Sequence, residues 1–142
     1  MPFPTKVFID TNVALDLLTQ REPFFVDAQK LFSLSDKGYF QLYLSADVFT
    51  TIAYFLNKYV GKQEAITYLI KFKTLVSILP VNEKVIDLAL ASKSSDFEDA
   101  VQIAVAETNE MNCIVTRNVK DFSQTVLGVF DTKLFLNAFS EN

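Results

Sequence analysis

The chain contains no histidine, and this absence restricts its chemistry strongly. Nucleophilic sites of the Ser-His-Asp and Cys-His types need an imidazole base, so they are excluded. Histidine metal ligands and a histidine general base are excluded for the same reason. Since the chain has only one cysteine, Cys113, a structural zinc site is not expected either. Any catalysis must therefore rest on carboxylates, Lys, Tyr, hydroxyl groups or a hard metal ion.

Disulfides, targeting segments and membrane spans are also not expected. A single cysteine cannot form an internal disulfide, and Cys113 lies in an apolar run typical of a buried thiol. The N-terminus has no basic patch followed by an apolar stretch, so no signal peptide is predicted. No uncharged apolar run approaches the roughly 18 residues that a membrane span requires. The sequence predicts a soluble, cytoplasmic protein without a membrane partner.

Glycine and proline are scarce, with three and four copies, which leaves little room for flexible linkers. Half of the residues are hydrophobic, so disorder is not expected. The sequence therefore predicts a single domain over residues 1–142 with its own core. The net charge of −4 argues against a protein that coats nucleic acid by bulk electrostatics. A nuclease remains open, because metal ions can supply positive charge locally in an acidic pocket.

Apolar runs of strand length alternate with segments of helical period along the chain. The predicted strands are 7–9, 41–44, 76–79, 113–116 and 128–130. Helices are predicted between them, including one capped by Asn82 and one capped by Asp96. Strands that alternate with helices indicate a parallel sheet covered on both faces. The expected fold is α/β, a three-layer α/β/α sandwich around a central parallel sheet of four to five strands.

Carboxylates follow or precede two of these strands. Asp10 ends the first strand, Asp96 and Asp99 lie in the first turn of the helix before the fourth strand, and Asp121 follows that strand. Ligands of open α/β sheets bind outside the carboxyl ends of the strands, so these groups converge if strands one and four are neighbours. Oxygen ligands suit Mg²⁺ or Mn²⁺. Such a site can promote in-line displacement at a phosphodiester.

Each acid also has a purely structural explanation. Asp10 and Asp96 can cap the helices that follow them, and Asp121 can be a turn residue. Asp99 is harder to explain in this way, because an apolar run follows it directly. By position alone, Arg117 and Lys120 are candidates for phosphate contact. Four other aspartates in helical stretches are predicted to be solvated surface: Asp16, Asp27, Asp36 and Asp87.

Three segments of the sequence resemble the main signatures of PIN domains. They are 8–12 (FIDTN), 96–100 (DFEDA) and 116–122 (TRNVKDF). More narrowly, they look like the bacterial and archaeal PIN proteins that act as VapC-type toxins of toxin–antitoxin pairs. The resemblance covers nearly the whole chain, with the motifs in order. It implies an α/β/α sandwich, a Mg²⁺- or Mn²⁺-dependent endoribonuclease, a homodimer, and inhibition by a small cognate antitoxin.

The resemblance also implies roles for individual residues. Asp10 matches the first acid of the family and Asp99 the third. The fourth acid falls in the loop after strand four, where Asp121 is preferred and Asn118 is the other candidate. Asp96 is the additional metal-ligand candidate. The polar residues expected to steady the site or contact the RNA substrate are Thr11, Asn12, Thr116, Arg117 and Asn118.

The sequence departs from the family pattern at one place. The family usually has a second acid, most often Glu, in the helix after strand two, but that position holds Thr50 or Thr51. Asp47 is the only acid nearby, and a first-turn helix charge explains it equally well. The loss of one ligand should weaken a second metal site more than the first. A PIN-like domain that binds RNA or protein without catalysis is therefore the alternative function.

The sequence also bears on another class of α/β protein and on a possible protein-binding surface. A phosphatase or nucleotide-binding domain is disfavoured, because the chain has no Gly-rich phosphate loop. A dimer face or antitoxin groove could be formed by aromatic residues, for which core packing is an equally good explanation. These residues are Phe55, Tyr59, Tyr68 and Phe72.

Overall fold

The structure, a computed structural model, describes residues 4–94 and 96–140. Its centre is a five-stranded sheet with parallel neighbours and the order β3-β2-β1-β4-β5. The strands are β1 (Lys6–Ile9), β2 (Gln41–Ser45), β3 (Ser77–Leu79), β4 (Cys113–Val115) and β5 (Gly128–Phe130). The helices are α1 (Thr11–Leu18), α2 (Phe25–Asp36), α3 (Ala46–Val60), α4 (Lys62–Lys73), α5 (Glu83–Ala91), α6 (Phe97–Thr108) and α7 (Thr132–Ser140). The predicted α/β architecture is confirmed.

The side chains of β1 alternate between two hydrophobic cores. Val7 and Ile9 pack into the core beneath α1, α2, α3, α4 and α7, whereas Phe8 packs beneath α5 and α6. All three are completely buried, and each contributes about 1.5–3 kcal/mol through removal of apolar surface from water. The two cores make the three layers of the sandwich. The central strand is therefore a rigid support for Asp10, which follows it.

The neighbours of β1 decide where polar groups can meet. β1 pairs with β2 on one side and with β4 on the other, and Ile9 lies opposite Val115. The condition for convergence of the acids, that strands one and four are neighbours, is thus met. Because the strand order reverses direction at β1, the crevice at its carboxyl end is the expected ligand position of such a sheet.

Local capping agrees with the sequence pattern. The Asn82 side chain accepts a hydrogen bond from the Val85 amide at 3.0 Å, and the Asp96 side chain accepts one from the Asp99 amide at 3.0 Å. The predicted loop after β4 differs, because it contains a 3₁₀ turn over Val119–Phe122. Phe122 is completely buried in the core beneath α6. This buried ring anchors the segment that carries Asp121.

Two predictions concern the chain as a whole: its division into domains and the expected lack of membrane-spanning segments. The single domain over 1–142 stays a prediction, and its residues 1–3, 95 and 141–142 lie outside the described ones. Within the described part, no helix combines the length and the apolar character needed to cross a membrane.

Candidate active site

Asp10 sits at the junction of β1 and α1 with both carboxylate oxygens oriented. Its Oδ1 accepts a hydrogen bond from the Thr11 amide at 2.6 Å, and its Oδ2 accepts one from the Thr116 hydroxyl at 2.9 Å. The Asp10 amide donates to the Val115 carbonyl at 3.1 Å, which fixes the backbone. The residue is only 6% exposed. Asp10 is therefore both a helix cap and a pre-oriented acid.

Thr116 connects this acid to the loop after β4. Its side chain is completely buried, and its hydroxyl accepts a hydrogen bond from the Asn118 amide at 3.0 Å while it donates to Asp10. Asn118 is exposed, and its two described polar contacts are both made by its backbone, since its carbonyl also accepts a hydrogen bond from the Asp121 amide at 2.9 Å. One buried hydroxyl therefore holds the first predicted acid and the start of the segment that carries the fourth.

Asp99 is the residue whose chemistry is most altered. Its pKa is raised from 3.8 to about 7, chiefly by burial and then by the carboxylates of Asp96, Asp10, Asp121 and Glu98, in that order. Every one of these contributions favours the protonated form. The structure therefore brings Asp10, Asp96 and Asp121 within electrostatic range of Asp99.

The donor types at this edge fit a hard divalent cation. Carboxylate oxygens that repel one another lose that repulsion when a cation neutralises them. No three acidic or cysteine side chains within residues 4–94 and 96–140 stand as a ready ligand cluster, however. Because Asp96 and Asp121 are exposed, their side chains are the ones that would turn inward on binding. The acidic side chains at this edge therefore surround Asp99, but among the described residues they do not converge on a single cation position.

At the position of the second family acid, the threonine side chains make hydrogen bonds within α3. The hydroxyls of Thr50 and Thr51 both donate to the Asp47 backbone carbonyl, at 2.8 Å and 3.1 Å. These bonds run along α3 itself, so neither hydroxyl is directed as a ligand in this arrangement. Asp47 is not among the groups that raise the pKa of Asp99. Its Oδ1 is buried and has no hydrogen-bond partner among the described residues.

The prediction that Asp16 is solvated surface was wrong. Asp16 is 2% exposed, and its Oδ2 lies 3.2 Å from the Arg117 Nε in an ion pair. Burial raises the pKa of Asp16, although Arg117 and then Arg21 act to lower it. The sequence held one signal for this burial: Asp16 follows Val13 by three residues and so shares its buried helix face. Of the other three aspartates in this group, Asp36 and Asp87 are exposed as expected and Asp27 is half-buried.

Arg117 is held in place by two elements on the far side of the sheet from α6. Besides the ion pair with Asp16 in α1, its guanidinium carbon lies 4.0 Å from the centroid of the Phe24 ring, just before α2. Asn12, another predicted polar contact, accepts a hydrogen bond from Arg21 at 3.1 Å. Thr11 and Asn12 are half-buried, and Lys120 is exposed.

A parallel sheet in the order β3-β2-β1-β4-β5, with acids gathered at the carboxyl ends of β1 and β4, is the arrangement that the resemblance to PIN domains predicts. A family model described as a PIN domain matches residues 6–120. The chain therefore belongs to the PIN domain family, as its three motifs predict.

Individual relatives are consistent with this assignment. The chain is 30% identical over 138 residues to Ribonuclease VapC1 of Aquifex aeolicus, with 92% of each chain covered. Its fold is similar to the toxin–antitoxin complex from Klebsiella pneumoniae, with 21% identity, a TM-score of 0.67, and coverage of 89% of this chain and 97% of that one. It is also similar to DNA-bound VapBC from Salmonella typhimurium, with 16% identity, a TM-score of 0.69, and coverage of 90% and 98%. At these identities the two structural matches show the fold alone.

Proposed function

We propose that the chain is a divalent-metal-dependent endoribonuclease that acts as the toxin of a toxin–antitoxin pair. The observation that carries this proposal is the gathering of Asp10, Asp96 and Asp121 around Asp99 at the carboxyl edge of the sheet. The similarity to Ribonuclease VapC1 supports the nuclease activity. The lack of histidine also agrees, because this chemistry needs no imidazole.

In this proposal Asp10, Asp99 and Asp121 hold Mg²⁺ or Mn²⁺, with Asp96 as an additional ligand. A bound cation of this kind supplies a Lewis acid that offsets phosphate charge and makes water more acidic. Thr116 and the Thr11 amide keep Asp10 in one orientation.

The substrate contacts of this proposal come from the polar rim of the acid cluster. Thr11, Asn12 and Asn118 lie at the same edge and supply hydroxyl and amide groups for the RNA backbone. Because the acids would repel a phosphodiester, we expect the cation to strengthen RNA binding at the acids, while contacts outside the acid cluster still bind RNA without it.

An antitoxin and a second copy of the chain are the proposed protein partners. Two of the structurally similar proteins, those from Klebsiella and Salmonella, are toxin–antitoxin complexes. On this chain Phe55, Tyr59 and Tyr68 expose 42%, 58% and 39% of their surface, which suits an interface. Phe72 is instead buried in the core, so core packing was the correct explanation for that residue. A cytoplasmic location is part of the same proposal.

The decisive experiment is cleavage of a mixed RNA panel by purified protein with Mn²⁺, after removal of any bound antitoxin. Asp99→Asn should abolish cleavage, because it removes the carboxylate that the other acids surround. Asp87→Asn is the matched control, since it makes the same change at an exposed position of α5 and should retain activity. Full activity in a correctly folded Asp99→Asn variant would exclude the proposed site.

A non-catalytic PIN domain that binds RNA or protein is the second candidate. The observation in its favour is that Thr50 and Thr51 stand where the family has an acid, with hydroxyls bonded to α3 itself. In that case wild type and Asp99→Asn would bind RNA equally well, and neither would cleave it with Mn²⁺. Introducing the acid by Thr51→Glu would then be the variant to test for recovered cleavage.

A further inference from the structure

A cleft of about 310 Å³ lies beside the acid cluster, on the opposite face of the sheet. It belongs to the same carboxyl edge, because Arg117 closely follows β4 and Asp131 directly follows β5. Its other walls come from α1, the first turn of α2 with the residues just before it, and the start of α7, whereas the acids of α6 lie across the sheet. The charged and aromatic residues that line the cleft are Asp16, Phe24, Asp27, Arg117, Asp131 and Lys133.

The charges of the cleft do not favour an anion. Arg117 is already paired with Asp16, and Oδ1 of Asp131 accepts a hydrogen bond from the Leu134 amide at 2.7 Å as the cap of α7. The lining therefore has three carboxylates, those of Asp16, Asp27 and Asp131, and two cations, those of Arg117 and Lys133. A phosphate would meet a lining of net negative charge, so the cleft is better suited to a neutral polar group.

The lining and the volume of the cleft favour a flat ring. Phe24 exposes 39% of its surface, and the Arg117 guanidinium lies 4.0 Å from its ring centroid. The ion pair with Asp16 fixes that guanidinium in a protein-defined position. Unpaired RNA bases are bound by stacking on aromatic rings and on guanidinium planes. A volume of about 310 Å³ is at the lower end of small-molecule sites, which fits a single base.

The cleft is one residue away from the acid cluster along the chain. The Thr116 hydroxyl donates to Asp10, and the next side chain, Arg117, lines the cleft. Consecutive Cα atoms are about 3.8 Å apart. The two sites thus share one edge of the sheet, and an RNA strand bound with a phosphate at the acids would bring a neighbouring base to the cleft if it crossed this edge.

We propose that this cleft binds the nucleobase next to the scissile phosphate and selects guanine, an inference that rests on the proposed ribonuclease function. Guanine offers acceptors at O6 and N7, which suit Arg117 or Lys133. It also offers ring and amino N–H donors, which suit the Asp27 carboxylate. Uracil and adenine present fewer of these hydrogen-bond acceptors and N–H donors in combination. Phe24 supplies the stacking surface, and Asp27 determines the specificity.

The test is binding of single-stranded hexaribonucleotides that differ at one position: guanine, adenine, cytosine, uracil or an abasic site. Fluorescence anisotropy in EDTA measures affinity without metal-dependent cleavage. The adenine RNA should bind about tenfold more tightly than the abasic RNA, the scale of one stacked base. The guanine RNA should bind about tenfold more tightly than the adenine RNA, the scale of one polar base contact. Phe24→Ala should remove the difference between the adenine and abasic RNAs. Tyr54→Ala, which removes an exposed ring from α3, should leave it unchanged.

The preference for guanine is tested by two Asp→Ala substitutions in the same helix, α2. Asp27→Ala should lower the preference for guanine over adenine by about tenfold, the scale of a lost polar base contact. Asp36→Ala, near the other end of α2, should not change it. Positions of Mn²⁺-dependent cleavage should lose their base preference in the same two variants, Phe24→Ala and Asp27→Ala.

The outcomes separate this proposal from the proposed function. Unchanged base preference in folded Phe24→Ala and Asp27→Ala variants overturns the cleft while wild-type cleavage supports the nuclease. A wild type without any base preference, in binding and in cleavage positions alike, also overturns it. A base preference in EDTA together with no cleavage contradicts the nuclease and leaves the cleft standing. If RNA affinities are unchanged and Phe24→Ala instead fails to bind a cognate antitoxin, the cleft is a protein site and the proposal is wrong.

Discussion

Asp10 performs two structural tasks that looked like alternatives in the sequence. One carboxylate oxygen caps α1 through the Thr11 amide, and the other accepts the Thr116 hydroxyl. Each carboxylate oxygen has two lone pairs, so one hydrogen bond leaves capacity for a cation. A capping role at this position is therefore no argument against a metal role. The same holds for Asp96, whose Oδ1 alone is used by the Asp99 amide.

Asp99 should make the stability of the cation-free protein depend on pH. Its pKa in the folded state is about 7 instead of 3.8, so its contribution to stability is fully present below about pH 4 and is lost as the pH rises through 7. Asp99→Asn removes the ionised form. We expect a melting temperature about 3 °C above wild type at pH 8 and equal to it near pH 4, after allowance for solvent screening.

The measurement is thermal unfolding in EDTA from pH 4 to pH 8. Asp87→Asn serves as the control, because its carboxylate is exposed on α5 and away from the cluster. A constant difference between Asp99→Asn and wild type across this range would mean that the other acids do not act on Asp99 as described.

The ion pair of Asp16 and Arg117 should respond asymmetrically to loss of either partner. Arg117→Met leaves a buried carboxylate without its cation and should lower the free energy of unfolding by about 3 kcal/mol. Asp16→Asn should cost about 1 kcal/mol, because it removes the buried charge and leaves the better exposed guanidinium free to hydrate. Urea unfolding of both variants and of the double variant gives the coupling energy. Equal costs for the two single variants would contradict this account.

At the scale of elements, α6 depends on Asp96 for its first turn. Asp96→Ala removes the hydrogen bond to the Asp99 amide and should lower the free energy of unfolding by about 1 kcal/mol. Asp96→Asn keeps an acceptor for that amide and should leave stability nearly unchanged. If Asp96 is also a metal ligand, Asp96→Asn will weaken Mn²⁺ binding at unchanged stability. If Asp96→Asn binds Mn²⁺ as tightly as wild type, Asp96 acts only as a helix cap.

Elements with strong local signals could be predicted from the sequence. The caps at Asn82 and Asp96 and the alternation of strands with helices carry their information within a few residues. The 3₁₀ turn over Val119–Phe122 could not be predicted, because it forms when Phe122 packs into a distant core. The burial of Asp16 was missed for a similar reason. Its partner, Arg117, lies about a hundred residues later in the chain and becomes a neighbour only in the sheet.

The site shows the same division between local and distant information. The family motifs point to Asp10, Asp99 and Asp121, whose role as site residues stays a prediction, and in the structure Asp10 and Asp121 lie within electrostatic range of Asp99. The sequence left the neighbours of β1 open, since register and strand order are set by packing across the sheet. The cleft around Phe24 has no sequence signature, because four separate segments form its walls.

At the scale of the whole molecule, cation binding should stabilise the fold by mass action. Mn²⁺ at about 100 times its dissociation constant adds about 2.7 kcal/mol to the free energy of unfolding. Thermal unfolding across a Mn²⁺ titration measures this effect. Asp99→Asn should reduce it, and Asp87→Asn should not. The absence of any stabilisation at millimolar Mn²⁺ would favour the binding module over the nuclease.

The position of β1 at the middle of the sheet has a consequence during synthesis. Asp10 emerges early, but the hydroxyl that orients it belongs to Thr116, 106 residues later. At about 5–20 residues per second, the ribosome needs about 5–20 s to make the chain between them. Over that interval no nascent copy has the Thr116 hydroxyl that orients Asp10. If the chain is the proposed nuclease, its acid site would be complete only after β4 and the Thr116 that follows it have joined the sheet.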